Sequence, residues 1–274
     1  GLKSDELIDT FQLGFANRTL CKRLSNQTRK SSAALRGRLA RLGVFRESGH
    51  EHFNGSLVIP IFDEQGHVVE MYGRKVNDRL RKGTPLHLYL PGPHRGIFNH
   101  AALKAHKEII LCESLTDALT FWQAGFRNVT SIYGIEGFSV ELLEAFKQHG
   151  TERVFIAYDR DEGGERAAQV HADKLAARGL SVYRVLFPKG MDANEYALKV
   201  TPAEKSLAIL LEKAELIAGE DTSLRNASSL RSATADKSDR QAGRAAVAEP
   251  PSGRVPAAAP APDLSTKAPD EASK

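Results

Sequence analysis

Cysteine is scarce in this chain, which has two, Cys21 and Cys112, among 274 residues. Two isolated cysteines exclude a disulfide framework, and they form no CxxC pair of the kind that binds zinc. Cys112 lies inside an apolar run, where a small buried hydrophobic side chain is the expected role. The composition therefore predicts no zinc site in this chain.

Long apolar runs are absent as well. No stretch approaches the roughly 18 consecutive apolar residues that a membrane span needs. The opening residues, GLKSDELIDTF, lack a basic segment followed by an apolar one. These absences predict a cytoplasmic protein with no membrane partner. The net charge of +4 is mild, so only the distribution of the basic residues can indicate an anionic partner.

Aromatic residues are missing from the last part of the chain. From Gly219 onward there is no Phe, Tyr or Trp, and Ala, Ser, Pro and charged residues dominate. Such a segment cannot bury enough apolar surface to offset the entropy that is lost on ordering. We predict that residues 219–274 form a disordered tail.

The pattern of residues 1–106 predicts a small subdomain that combines helices with a β-hairpin. The segment SSAALRGRLARLGVF places Leu35, Leu39 and Leu42 on one face of a helix whose other face is basic. Further along, apolar segments of GSLVIPIFDEQGHVVEMYGRK flank residues 63–66, whose composition is typical of a hairpin turn.

Residues 107–218 alternate between strand and helix patterns. Short apolar runs at 108–112, 129–133, 153–158 and 181–187 are separated by helical patterns near 116–124, 139–149 and 164–178. This alternation predicts an α/β fold in which helices flank a parallel sheet. In such sheets, ligands bind outside the carboxyl ends of the strands.

Acidic residues occur in three groups at or just after those strand ends. The groups are Glu113 with Asp117, Asp159 with Asp161, and Asp192 with Glu195. Any one group could simply cap a helix or favour its dipole. Together they would repel one another at one sheet edge, and a hard divalent cation such as Mg²⁺ or Mn²⁺ would relieve that repulsion. Gly163 and Gly164, which follow, could let the backbone approach a phosphate or could simply form a turn.

The order of these acidic groups resembles the TOPRIM domain of DnaG-type primases, topoisomerases and several nucleases. The resemblance rests on strand-Glu-x-x-x-Asp, then strand-Asp-x-Asp-x-x-Gly, then Asp-x-Asn-Glu. Upstream, GSLVIPIFDEQGHVVEMYGRK followed by TPLHLYLPGPHRGIFN is similar to bacterial and phage primases, as is the opening GLKSDELIDTFQLGFA. The resemblance covers residues 1 to about 215 and implies a TOPRIM fold behind a smaller N-terminal subdomain.

The resemblance implies that Glu113 is the acid/base or metal-organising carboxylate, and that Asp159 and Asp161 bind catalytic metal. Asp117 and Asp192 match supporting acidic positions, and Glu195 belongs to the third metal-binding element. The implied activity is two-metal-ion synthesis of short RNA primers on single-stranded DNA. Its substrates would be ribonucleoside triphosphates, its cofactor Mg²⁺ or Mn²⁺, and a replicative helicase would be a further partner. The resemblance implies a primase-like core from a bacterium, a phage or a mobile element, of the mobile-element or phage-like branch.

The chain also departs from the family pattern. Asn194 stands where cellular primases often have a second aspartate, and Leu86 stands where the Thr-Pro stretch usually continues with lysine. An upstream zinc module normally accompanies such primases, and none is present in this sequence. Since the sequence begins at Gly1, we expect a fragment or a processed form from which that module is missing.

Basic residues supply the other half of a polymerase site. They crowd the N-terminal helices and flank the hairpin; those predicted to contact template or triphosphate are Arg36, Arg38, Arg74, Lys75 and Arg95. Such contacts with phosphate position a strand but carry little sequence information. Solvated basic faces are the alternative interpretation of the N-terminal set. His94, next to Arg95, is predicted to contact phosphate.

Two other functions remain open from the sequence. The same carboxylates could serve a TOPRIM nuclease or a topoisomerase-like enzyme that cuts DNA. Alternatively, the chain could be a non-catalytic accessory of a mobile element that binds single strands or a helicase. Primer synthesis assayed beside DNA cleavage would separate these alternatives.

Overall fold

The structure, a computed structural model, describes residues 1–25, 29–77, 79–134 and 136–220. Its helices are α1 Asp5–Thr10, α2 Leu20–Ser25, α3 Arg29–Arg41, α4 His100–Ala105, α5 Leu115–Gln123, α6 Val140–Gln148, α7 Glu162–Ala176, α8 Ala193–Lys199 and α9 Ala203–Glu212. Its strands are β1 Gly14–Phe15, β2 Ser56–Phe62, β3 Val68–Lys75, β4 His87–Tyr89, β5 Glu108–Cys112, β6 Val129–Ser131, β7 Arg153–Ala157, β8 Ser181–Arg184 and β9 Glu215–Ala218. None of these helices is both long and apolar enough to cross a membrane.

Strands β1 to β4 form an antiparallel sheet in the order β1-β2-β3-β4. The predicted hairpin joins β2 and β3, and Asp63 fixes its turn because one carboxylate oxygen accepts from the backbone N–H groups of Gln65 and His67 at 2.9 and 2.8 Å. Gly66 has a φ of +83°, a conformation that favours glycine. Local turn chemistry therefore explains why this hairpin was predictable.

The second sheet has the order β6-β5-β7-β8-β9, and its first four strands are parallel as predicted. Successive residues of β5 point to opposite faces: Ile110 and Cys112 join one hydrophobic core, whereas Ile109 and Leu111 join the other. Both faces are therefore covered, which explains the nearly continuous apolar composition of these strands. The α/β architecture is confirmed.

Two features of the fold differ from the sequence expectations. Leu42 lies beyond the end of α3 and is 61% exposed, whereas Leu35 and Leu39 within the helix are half-buried. The helix ends there because Gly43 takes a φ of +81°. Strand β9, which pairs antiparallel with β8, was not predicted.

The predicted tail lies almost entirely outside the described residues. Of residues 219–274, the structure describes Gly219 and Glu220. The Glu220 carbonyl accepts a hydrogen bond from the Ser181 hydroxyl at 2.6 Å. The chain therefore runs alongside β8 as far as Glu220.

Candidate active site

Glu113 and Asp159 leave neighbouring strands at the same edge of the parallel sheet. Cys112, the last residue of β5, is in register with Ala157, the last residue of β7. Glu113 directly follows β5, and Asp159 lies two residues beyond β7. The two loops meet, because the backbone N–H of Asp159 donates to the Glu113 carboxylate.

The Glu113 carboxylate is only partly satisfied by the described protein. Its Oε2 atom is buried and has no hydrogen-bond partner among the described residues. Burial, followed by the negative charge of Asp159, raises the pKa of Glu113 to about 7. A buried acceptor with no donor is costly, and a cation would supply the missing partner. The donor set therefore fits a divalent metal.

Asp159 shares this environment. Burial raises its pKa above the ordinary value, the charges of Asp192 and Asp161 raise it further, and the charge of Arg184 opposes them. Mutual repulsion of this kind means that the carboxylates lie close enough to compete for protons. Three of the predicted metal ligands thus share one electrostatic site with Glu113.

Asp161 and Asp192 also have a structural role. Asp161 caps α7 by accepting from the Gly164 N–H at 2.7 Å, and Asp192 caps α8 by accepting from the Glu195 N–H at 2.6 Å. Helix capping of this kind was the alternative role that the sequence allowed for each acidic group. Capping uses one carboxylate oxygen of two, so it is compatible with metal binding by the other.

Asp117 is buried within the site, with 3% of its surface exposed. It accepts from the Ser114 hydroxyl at 2.6 Å and from the Asn194 backbone N–H at 3.3 Å. Burial raises its pKa to about 7 against the effect of the Ser114 bond, and the charges of Asp192 and Asp159 raise it further. Asp117 therefore links α5 to the loop before α8.

Asn194 strengthens that link, since its side-chain amide donates to the Thr120 hydroxyl at 2.8 Å. Glu195 behaves differently from the other acidic residues. It forms an ion pair with Lys199 at 2.6 Å on α8, and its side chain is 44% exposed. The structure does not bring Glu195 into the electrostatic group formed by the other five carboxylates.

Arg184 is a site residue that sequence reasoning missed. It is buried, with 3% of its surface exposed, and donates to the carbonyls of Tyr158 and Asp159 and to Glu165 Oε1 at 3.0, 3.2 and 2.9 Å. Its charge lowers the pKa of both Glu113 and Asp159. The signal was available, because an arginine interrupts the apolar strand SVYRVLF.

Gly164 controls the position of the Asp159 backbone. A Cβ atom at position 164 would lie 2.2 Å from the Asp159 carbonyl oxygen. The glycine permits this close approach of the first turn of α7 to the loop after β7. Packing within the protein therefore accounts for Gly164, without the phosphate contact considered from the sequence.

Arg74 and Lys75 end β3, and a chain of contacts links Arg74 to Tyr72. The Tyr72 hydroxyl and His87 Nδ1 are 2.7 Å apart, and His87 Nε2 contacts the Arg74 guanidinium. Burial raises the pKa of Tyr72 to about 12, the charge of Arg74 lowers it and that of Asp117 raises it. Tyr72 is thus within electrostatic reach of both the basic strand end and the acidic site. The Lys75 ammonium contacts the Asn54 carbonyl.

The remaining predicted basic contacts are on the surface. Arg36, Arg38 and Arg95 are exposed, and Arg36 donates to the Cys21 carbonyl at 3.1 Å. His94, predicted to contact phosphate, instead lies 3.2 Å from the buried carboxylate of Glu70 and stacks on Tyr133. We therefore assign His94 to the packing of this loop.

The segment that carries the acidic site is similar to known proteins. Residues 110–197, which include every acidic group described above, match the Toprim-like family Toprim_2. The chain carries a TOPRIM-like domain. A DNA primase of Aquifex aeolicus is 32% identical over 168 residues, 56% of this chain and 31% of that protein. A DNA primase of Staphylococcus epidermidis is 31% identical over 160 residues, 54% of this chain and 25% of that protein.

Solved structures extend the likeness beyond the TOPRIM-like domain. The zinc-binding and RNA polymerase domains of the Aquifex aeolicus primase align with a TM-score of 0.64 and 23% identity, covering 78% of this chain and 54% of that one. A DnaG primase catalytic domain bound to single-stranded DNA aligns with a TM-score of 0.60 and 18% identity, covering 78% and 68%. At these identities the alignments establish the fold. The chain resembles a primase catalytic core, and it spans between a quarter and a third of the length of the two curated relatives.

Proposed function

We propose that this chain is the catalytic core of a primase-like nucleotidyltransferase that synthesises short RNA primers on single-stranded DNA. The observation that carries the proposal is the buried Glu113 Oε2, which has no partner among the described residues and lies beside Asp159. That arrangement lies within a TOPRIM-like domain whose relatives are DNA primases. Primases act on template and triphosphates, so the proposal also assigns both as substrates.

Mg²⁺ or Mn²⁺ is the cofactor that fits this donor set, and Glu113, Asp159 and Asp161 would hold it. When bound, such an ion neutralises triphosphate oxygens and lowers the pKa of a primer 3′-hydroxyl. The protein's part is to hold these acidic oxygens together at the strand ends, with Glu113 Oε2 left without a donor among the described residues. Arg184 fixes the loop after β7 through its bonds to main-chain carbonyls.

Proton movement at Glu113 is a second consequence of the site. With a pKa raised to about 7, this carboxyl is largely protonated in mildly acidic solution and exchanges its proton near neutrality. Loss of that proton is required before the carboxylate can act as a ligand or accept a proton from a hydroxyl. Asp117, which is buried and accepts from the Ser114 hydroxyl and the Asn194 backbone N–H, holds α5 against the loop before α8 and supports the other carboxylates of the site.

Nucleic-acid binding is supported by the basic groups on the N-terminal subdomain. Arg74 lies at the end of β3 within a contact chain that leads to Tyr72, next to the acidic site. Arg36, Arg38 and Arg95 are exposed at the surface, where phosphate could reach them, and Arg36 also donates to the Cys21 carbonyl. A DnaG catalytic domain of the same fold has been solved with single-stranded DNA. We propose that Arg74 contacts triphosphate and that the exposed arginines contact template.

The test is synthesis of labelled RNA on a single-stranded template with Mg²⁺ or Mn²⁺, beside a cleavage assay on the same DNA. Asp159→Asn removes a charge but keeps the size of the side chain, and we expect it to reduce synthesis by about a thousandfold or more. Glu162→Gln is the matched control, because Glu162 is an 87% exposed carboxylate on the adjacent turn of α7. It should leave synthesis unchanged.

Three outcomes would contradict the proposal. Cleavage without synthesis would assign the site to a nuclease. Binding of single strands without either reaction would assign the chain to an accessory role. Equal loss of synthesis in Glu162→Gln and Asp159→Asn would show that the carboxylate at position 159 has no special part in the reaction.

A further inference from the structure

A second group of potential metal ligands lies away from the acidic edge. Glu64, His100 and His149 each offer one ligand atom, and these three atoms lie within 4.8 Å of one another. In the part of the chain that the structure describes, no other group of three His, Cys, Asp or Glu residues meets this criterion. The carboxylates at the sheet edge are more widely spread.

Two of the three distances between ligand atoms match the edge of a tetrahedron around a metal ion, and the third lies within 4.8 Å. His149 Nε2 and His100 Nε2 are 3.3 Å apart, and His100 Nε2 and Glu64 Oε1 are 3.4 Å apart. Zinc binds imidazole nitrogen and carboxylate oxygen at about 2.0–2.1 Å in tetrahedral geometry, which places neighbouring ligand atoms about 3.3–3.4 Å apart. The two imidazole rings lie edge to face at 77°, with their centroids 5.0 Å apart.

Three separate elements hold these ligands. Glu64 is in the β2–β3 turn that Asp63 fixes through its two backbone hydrogen bonds. His100 begins α4, directly after Asn99, whose side chain donates to the carbonyls of Arg127 and Val129 at 3.1 and 2.7 Å. His149 follows α6, and its carbonyl accepts from Lys107 at 2.8 Å. The backbone is therefore fixed at each ligand before any ion binds.

We propose that Glu64, His100 and His149 form a site for a divalent transition-metal ion of the zinc class. Two imidazoles and one carboxylate are ligands that Zn²⁺ accepts and that Mg²⁺, which prefers oxygen, does not. The scarcity of cysteine excludes a thiolate site, but it does not exclude a site whose ligands are 36 and 49 residues apart in the sequence. The site is independent of the function proposed for the acidic edge.

Space and charge around the cluster bear on the proposal in opposite directions. A surface pocket lined by Glu64, His100, Glu141 and Gln148 opens beside the cluster, so water can complete the coordination. The Lys104 ammonium lies 3.0 Å from Glu64 Oε2 and opposes a cation, although it leaves Oε1 free. A bound ion would join the hairpin turn to helices on the parallel sheet, and it would thereby stabilise the contact between the two sheets' subdomains.

The test is calorimetric titration of Zn²⁺ into the full chain after treatment with a chelator. We expect one tight site, and we expect His100→Gln and His149→Gln each to weaken its affinity at least tenfold. Co²⁺ is the spectroscopic probe, since tetrahedral coordination gives it an intense visible absorption that octahedral coordination lacks. Lys104→Met should strengthen zinc binding several-fold, because it removes the opposing charge.

His106→Gln is the matched control, because His106 is an exposed histidine at the opposite end of α4. It should bind Zn²⁺ as the parent chain does, and so should Asp159→Asn, which changes the acidic edge. A melting curve of each variant in the presence of chelator establishes that the variant is folded. Glu64→Gln, at the exposed turn, is a third variant that removes a ligand. Equal zinc affinity in the parent and both histidine variants, or an octahedral Co²⁺ spectrum, would overturn the proposal.

Discussion

The acidic edge of the parallel sheet and the Glu64–His100–His149 cluster differ in how their charges are balanced. Glu113 and Asp159 face other carboxylates, and Arg184 is the cation whose charge offsets both. Glu64 faces two imidazoles and Lys104, and its pKa lies below the ordinary value because of the Lys104 hydrogen bond. Without a bound cation, the carboxylates of the acidic edge repel one another. In the Glu64–His100–His149 cluster, the negative charge of Glu64 is already paired with Lys104.

This difference indicates which type of cation each region binds. Crowded oxygens with an orphaned acceptor attract a hard cation together with its phosphate ligands. Two nitrogens and one oxygen at tetrahedral spacing select a softer ion by geometry. Substitutions confined to one region should therefore leave cation binding in the other region unchanged.

The largest effect should come from Gly164→Ala. The added Cβ would meet the Asp159 carbonyl oxygen at 2.2 Å, and backbone cannot yield as a flexible side chain can. We expect unfolding free energy to fall by about 1–3 kcal/mol and primer synthesis to be lost, because Asp159 moves. Urea unfolding and the synthesis assay measure both effects, while zinc affinity at the histidine cluster should not change.

Gly37→Ala is the control for this prediction. Gly37 is also helical, but the nearest atom to its added Cβ is the end of the Arg41 side chain at 3.8 Å. Alanine there should stabilise the chain by roughly 0.5–1 kcal/mol, since glycine is a poor helix residue. If both substitutions had the same effect, the close approach at Gly164 would not be what positions Asp159.

A smaller effect should appear in the pH dependence of the cation-free protein. The folded pKa of Glu113 is about 7, against an ordinary 4.5, so the folded state binds this proton more tightly than the unfolded state. The stability that Glu113 contributes should therefore be lost as pH rises from about 4.5 to about 7, and His171, whose pKa is lowered to about 4, contributes with the opposite sign. Asp117, also raised to about 7, contributes with the same sign as Glu113.

Glu113→Gln should remove the contribution of this proton to the pH dependence of stability, and the variant should be more stable than the parent above pH 7 when a chelator is present. Urea midpoints measured between pH 5 and 8 provide the check. Glu64→Gln changes the other region, where the carboxylate pKa is lowered, and should not flatten the slope. An unchanged slope in Glu113→Gln would mean that its proton is not linked to folding.

The sequence predicted what depends on neighbours along the chain. The hairpin turn, the parallel strands and the strand-end carboxylates each follow from local patterns of turn residues, apolar runs and spacing. An arginine within an apolar strand is visible in the sequence, but its partners, the carbonyls of Tyr158 and Asp159 just after β7, come within reach only when β7 and β8 pair. The histidine cluster was missed for the same reason, since its three ligands meet only in the folded chain.

The smallest effect concerns Leu86, which the resemblance to primases places where a lysine usually stands. Leu86 is 42% exposed, whereas Leu88 is buried, so a lysine at position 86 can reach water without disturbing the core. It precedes His87, which contacts Arg74 near the acidic edge. Exposure thus argues against the interpretation in which position 86 packs inward, and the resemblance to primases is what supports a place for it beside the site.

Leu86→Lys should therefore lower the KM for nucleotide roughly two- to fivefold, because an ammonium adds a donor for triphosphate oxygens. Stability should stay within about 0.5 kcal/mol of the parent, as is usual for exposed positions. Val68→Lys is the control, since Val68 is 50% exposed at the opposite end of β3 and should leave KM unchanged. A lower melting temperature without any kinetic gain would show that Leu86 is a packing residue. An equal decrease in KM from Val68→Lys would show that the added net charge, and not the position of the lysine, causes the effect.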